Sequence, residues 1–240
     1  MTTNLAAALI DPMLAADPVG PRITYYDDAT GERVELSAVT LANWAAKTAN
    51  LLRDELGAGP DSRVAVLLPA HWQTAAVLLG VWYVGAQTVL QPGEADIALC
   101  TADRLDEADA AIDAGGGMGE VAVLSLDPFG KPAPDLPVGV TDYATAVRVH
   151  GDQVVAERSP GPALGDRSPE EVLAAARTAA EPLTSGDRVY STHGWDTPDD
   201  VVTHLLAVFA ANGSLVQVAN PQPDLQERRR VTEKVTRTLP

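Results

Sequence analysis

Apolar positions along the chain alternate between short continuous runs and stripes at helical spacing. Arg22–Tyr26 reads as a strand, and after the polar turn Asp27–Gly31 a second extended piece, Arg33–Leu36, returns beside it as a hairpin. Ser37 is placed to cap a helix over residues 37–56, where Leu41, Trp44, Ala45, Thr48, Leu51, Leu52 and Leu56 fall on one face. Gly57-Ala58-Gly59-Pro60 stops it. Arg63–Leu68 is then an unbroken apolar run of strand length, the pattern of a parallel strand covered on both faces. The uncharged run Gln73–Leu90 is as long as the shortest membrane spans, but Gly85-Ala86-Gln87 interrupts it and no Lys/Arg cluster flanks it. It reads instead as a buried helix that turns at Gly85 into a strand over residues 87–90.

The same alternation continues. Strands are expected over 96–101, 120–125, 187–191 and 214–219, and helices over 102–114, 169–180, 198–211 and about 224–237, with a short helix near 141–149. Proline-rich connections lie at 128–137 and 159–169. This predicts an α/β fold with largely parallel sheets covered by helices, in one domain over 1–240 that divides, if at all, into subdomains 1–150 and 151–240.

Charge narrows the functional classes. The formal net charge is −16, from 33 acidic and 17 basic side chains, so phosphate backbones and anionic membranes are disfavoured as partners. The lone Cys100 cannot form an intrachain disulfide, and Met1-Thr2-Thr3-Asn4 lacks the basic start of a secretory signal, so a cytoplasmic location is expected. Four separated histidines and one cysteine offer no structural zinc site.

Few motifs carry chemistry. Gly115–Gly119 follows a helix and enters a strand, the reverse of a phosphate-binding loop, and none of the three lysines completes a P-loop. Ser191, His193 and Asp196 cluster at a strand end, where α/β sheets place ligands, and are the candidate catalytic residues. Arg167 and Ser168, at the N-terminus of the 169–180 helix, are the candidate anion site. Arg228-Arg229-Arg230 with Lys234 and Arg237 reads as a solvated helix face ion-paired at i,i+4, Arg229 with Glu233 and Glu233 with Arg237.

Taken in order, these segments resemble the first half of the N-terminal domain of the adenylate-forming superfamily, the AMP-binding acyl-CoA synthetases. The likeness is carried by Ile23-Thr24-Tyr25, by Asp61–Pro69, by Ala75–Ala86 with Val89-Leu90-Gln91-Pro92, and by Gly186–His193 with Leu205–Val216. Short stand-alone actinobacterial proteins of this truncated design are similar. In the family, a Ser/Thr/Gly-rich loop ending in Pro-Lys-Gly binds the ATP phosphates just before the helix matched here by 169–180. This chain has Ser159–Ser168 there, proline-rich and without lysine, and it stops before the family's magnesium-binding Thr-Glu motif, ribose-binding aspartate and catalytic lysine. The resemblance therefore implies a catalytically deficient relative acting as a binding or regulatory module, with no cofactor. The competing expectation is a small enzyme of altered chemistry, using Ser191, His193 and Asp196 or a partner chain. A half-domain exposes edges, so a homodimer or protein partner is expected. The alternative is a monomer whose last helix folds back with Val231 and Val235 inward and its arginines in water.

Overall fold

The computed structural model describes residues 3–91 and 93–239; Met1 and Thr2 of the start and Pro92 of the Val89–Pro92 segment lie outside them. Two five-stranded sheets organise the chain. Sheet I is wholly parallel, in the order β4 (Gln87–Val89), β3 (Arg63–Leu67), β5 (Ile97–Cys100), β6 (Glu120–Val123), β7 (Thr141–Asp142). Sheet II runs β10 (Arg237–Thr238), β8 (Arg188–Ser191), β9 (Ser214–Ala219), β1 (Pro21–Asp27), β2 (Glu32–Ser37), with only the β1–β2 hairpin antiparallel. Sheet II thus joins the two ends of the chain, and the sheets do not divide it at residue 150.

Period-two alternation sorts side chains into layers. In sheet I, Val64, Val66, Ile97 and Leu99 face the main core. Ala65, Leu67, Ala98, Cys100 and Val123 face outward onto α4 (Leu105–Ala114), through Ala108, Ala111 and Ile112. In sheet II, Ile23, Tyr25, Val189 and Leu215 face the same main core, while Tyr190, Val216 and Val218 pack outward. The layer shared by both sheets contains α1 (Leu5–Ala16), α2 (Ala38–Asp54), α3 (Trp72–Tyr83) and α6 (Pro169–Ala179). Ser37 caps α2 as its sequence position requires, accepting from the Thr40 amide at 3.2 Å. Helices α2 and α3 meet where Gly80 lies against Thr48, so closely that a β-carbon at Gly80 would stand 2.8 Å from the Thr48 Cβ.

Two elements differ from expectation, and a further one lies where none was expected. Helix α1 carries Pro12 in its interior and persists because Leu5, Leu9, Ile10 and Met13 are buried, with Asn4 as cap. The 198–211 helix is broken into α7 (Pro198–Val201), a π-helical segment (Val202–Leu206) and α8 (Ala207–Ala210). The short helix near 141–149 is β7, a single α-turn, α5 (Tyr143–Ala146), and a 3₁₀ turn (Val147–Val149).

The C-terminal segment requires a correction. Helix α9 (Pro223–Thr232) ends five residues early, because Lys234 takes a left-handed φ of 51° and the chain then enters β10 beside β8. Arg237 lies in that strand, 3.6 Å from Asp187, so the Glu233–Arg237 helical pair does not form. Nor are Arg229 and Arg230 in water, although Arg228 and Arg237 are exposed. The Arg229 guanidinium lies 3.9 Å over the Tyr26 ring and pairs with Asp28, and Arg230 lies 4.8 Å over Tyr190. Val235 packs inward, whereas Val231 is 69% exposed. The outer face of sheet II offers aromatic rings and a buried carboxylate, and a planar guanidinium matches both better than an aliphatic side chain does.

Candidate functional site

The C-terminal ends of β1, β3, β6, β8 and β9 bring the loops that follow them to the region between the two sheets, the end at which open α/β sheets hold ligands. Ser191, His193 and Asp196 lie there together, but not as a relay. The Ser191 Oγ accepts the His193 backbone amide at 3.2 Å, a local turn rather than a nucleophile–base contact. The His193 ring instead stacks on His204, with centroids 4.3 Å apart and planes 8° from parallel. His204 reaches it from the π-helical segment, and burial with the neighbouring imidazole holds its pKa below the usual range. Gln217 of β9 fixes the turn by donating to the His193 carbonyl at 2.9 Å. Asp196 is exposed beside buried Trp195, and with Val66, Leu68 and Arg104 they line a recess of about 270 Å³. Arg104 is already held by both oxygens of Glu107, at 2.7 and 2.8 Å.

Arg167 and Ser168 occupy the approach to α6. Ser168 accepts the Glu171 amide, and the Glu171 carboxylate reaches back to the Ser168 amide and hydroxyl, both at 2.8 Å. The helix's own carboxylate thus fills the position an anion would take. Arg167 pairs with Asp199 at 3.1 Å.

The loop Ser159–Ser168 is fastened to the edge of sheet I. Ala163 accepts from the Thr88 amide at 2.9 Å and from the Trp82 indole at 2.8 Å, and Gly165 donates to the Thr88 carbonyl at 3.0 Å. Pro160 and Pro162 have no N–H, and the amides of Ser159, Gly161, Ala163, Leu164, Gly165, Arg167 and Ser168 all donate within the protein. Asp166 alone in this loop has an uncommitted amide.

A cleft of about 960 Å³ opens between the β1–β2 turn and the loop after β6. Its floor includes His71, the residue that caps α3. His71 Nδ1 accepts the Gln73 amide at 3.1 Å, and its ring meets Tyr25 edge-on at a centroid distance of 4.3 Å. Burial keeps the His71 pKa below its usual value against the opposing pull of Glu32. Its wall is apolar, with Leu126, Pro128, Phe129 and Pro132 facing Val34. His71 and Glu32 were not candidates from the sequence; the available signal was that His71 follows the Pro69 end of a buried strand. Among the described residues, no group of three or more His, Cys, Asp or Glu is arranged to hold a metal ion.

No protein-family model matches the chain. Over 239 residues it is 70% identical to a Mycobacterium tuberculosis protein described as a TIGR03089 family protein, covering 99% of this chain and 98% of that one. The chain belongs to the TIGR03089 family. Its fold is shared with larger enzymes. It matches a Brucella canis acyl-CoA synthetase with a TM-score of 0.79 at 16% identity, over 98% of this chain and 47% of that one. A Streptomyces lividans acetoacetyl-CoA synthetase gives 0.79 at 20% identity, over 99% and 42%. A benzoate CoA ligase from Burkholderia xenovorans gives 0.74 at 16%, over 98% and 50%. This family member spans about half the length of those solved ligases, and at such identities the likeness shows the α/β fold.

Proposed function

We propose that this TIGR03089 family protein is a binding module built on the acyl-CoA ligase fold, and that it does not form adenylates itself. The observation that supports this is the closed Ser159–Ser168 loop. A loop that cradles phosphates must present free backbone N–H groups and a cation to the anion. Here one amide of ten residues is uncommitted, no lysine is present, and Glu171 sits at the helix N-terminus. Adenylyl transfer depends on positioned cations to neutralise developing charge; the one cation of this loop, Arg167, is paired with Asp199, and the helix that follows brings the Glu171 carboxylate to the same end.

Calorimetry of the full chain with MgATP, and a pyrophosphate-release assay with a panel of carboxylates, test the reading. The expected result is neither micromolar nucleotide binding nor turnover. Pyrophosphate released above a no-protein control would overturn it.

A further inference from the structure

The loop after β6 stands between the cleft over His71 and a second hollow of about 190 Å³, and Phe129 lines both. Trp44 of α2, Trp72 of α3, Tyr143 of α5 and Val147 form its other walls, and among the described residues Arg148 is the one charged side chain on its lining. Trp72 and Tyr143 are buried, Trp44 is half-buried and Phe129 is exposed. The two indoles meet edge-on, with ring centroids 5.7 Å apart. The protein itself holds these walls in place. The Tyr143 hydroxyl lies 2.6 Å from Thr48 Oγ1, the Phe129 amide donates to the Asp127 carboxylate at 2.8 Å, and the Gln73 side chain donates to the Asp127 carbonyl at 3.2 Å. The aromatic box is therefore preformed, which leaves little ordering for a ligand to impose.

Charge selects what the box takes. Arg148 is exposed, and its guanidinium rests on backbone carbonyls: Nη2 donates to Phe129 at 3.5 Å and to Gly130. Lys47 of α2 likewise donates to the carbonyls of Arg148, at 3.5 Å, and His150. The carboxylates of the surrounding segments are committed elsewhere. Asp127 accepts the Phe129 and Lys131 amides with Lys131 Nζ at 3.9 Å, Asp142 accepts the Ala133 and Thr145 amides, and Glu55 meets His150 at 2.9 Å. Among the described residues, Arg148 and Lys47 are thus cations without a counter-ion, in a chain of net charge −16. We infer that this hollow binds a small organic anion, a single-ring arene whose ring stands among Trp44, Trp72 and Phe129 and whose acidic group pairs with Arg148. A cavity of about 150 Å³ admits benzene, so the volume here suits one ring. An aromatic ammonium would gain from the ring faces but meet Arg148 and Lys47 as like charges, and a neutral arene would leave Arg148 unpaired.

None of these residues belongs to the Ser159–Ser168 loop or to the Ser191–Asp196 turn, so the inference goes beyond the function proposed above, and its test uses no nucleotide. The test is an NMR titration of the full chain with four matched probes: phenylacetate, phenylmethanesulfonate, benzyl alcohol and benzylamine. Both anions should bind saturably, at least about tenfold more tightly than the alcohol and the amine, and the tighter of the two identifies the acidic group as planar or tetrahedral. The indole N–H resonances of Trp44 and Trp72 should shift, while those of Trp82 and Trp195, which lie outside the hollow, should not. Arg148→Met removes the charge and should lower the ratio of anion to alcohol affinity about tenfold; a loosened Phe129 loop would weaken both probes and leave that ratio unchanged. Arg148→Lys keeps the charge and should keep the preference for anions, and it decides the matter if the methionine variant binds neither probe. Equal binding of all four probes, preference for the amine, an anion preference that survives Arg148→Met or is lost in Arg148→Lys, shifts centred on Trp195, or no saturable shift at all would overturn the inference.

Discussion

Replacing Glu233 by alanine should loosen the C-terminal segment from sheet II. Glu233 is the C-cap of α9, and its side chain is only 6% exposed. Its carboxylate accepts from the Tyr26 hydroxyl, from Arg33 Nε and Nη2 at 3.2 and 3.1 Å, and from Arg188. Removing one member of a buried ion pair typically costs ~3–5 kcal/mol, because the partner charge stays buried. Two facts reduce that figure here. The Arg33 side chain is 45% exposed, and Arg188 keeps a contact with Glu35 at 3.4 Å and bonds to Ser214 and Thr24. The expected loss is therefore ~2–3 kcal/mol, or roughly 4–12 °C in melting temperature for a chain of this size. Burial alone would raise the Glu233 pKa, but hydrogen bonds from Tyr26 and Arg188 outweigh it and hold the carboxyl below its usual value. A carboxyl lowered on folding contributes its stability fully above the unfolded value of about 4.3, and loses it as pH falls through the folded value. Calorimetric melting of wild type and Glu233→Ala should thus show a wide gap at neutral pH that narrows below about pH 4.3. An unchanged melting temperature at pH 7, or a gap that widens on acidification, would refute the reasoning.

Gly80→Ala should overpack the α2–α3 contact and cost ~1–3 kcal/mol, with Thr48→Ser, which removes the obstructing methyl, recovering part of it in denaturant titrations. Cys100 is buried, and burial together with Asp109 pushes its thiol pKa up to about 11, so iodoacetamide at pH 8 should leave it unlabelled in the native protein and modify it in urea, as read by mass spectrometry. The edge strands β10 and β7 are only two residues long and the 159–168 loop covers the β4 edge, which leaves β2 as the one full-length edge, so light scattering at tens of micromolar should give a monomer mass of about 25.1 kDa rather than a dimer.

Much of the architecture is legible from local rules. The middles of the runs 63–68, 96–101 and 120–125, residues 64–68, 97–100 and 121–124, are buried in sheet I, and Ala38–Asp54 make an amphipathic helix with Ser37 as its cap. Where the expectation departs, long-range contacts override local preference. Arg229 and Arg230 read as solvated because the i,i+4 spacing of Arg229, Glu233 and Arg237 suits an exposed helix, yet Tyr26, Asp28 and Tyr190 lie at distant positions no local pattern reveals. The site divides in the same way. The 159–168 loop stands out through the resemblance, because its prolines and missing lysine depart from the family's phosphate loop. The His71–Glu32 pair was not legible, because Glu32 belongs to a hairpin and His71 to a helix cap, and only the packing of β1 under α3 brings them together.

The sharing of sheet II between the two ends of the chain bears on how the protein is made. Asp27 and Asn220, hydrogen-bonded at 2.9 Å, are 193 residues apart in sequence, and β1 pairs along its length with β9. On the ribosome the β1–β2 hairpin emerges well before β9, and its inner edge has no neighbour until the long stretch that separates them has been synthesised. Sheet I, contained within residues 63–142, is complete long before that. Pairings of such high sequence separation form slowly, and an unpaired apolar edge invites wrong partners during the wait. The hairpin edge is therefore the point at which nascent chains of this protein most need protection, and where aggregation during overexpression should begin.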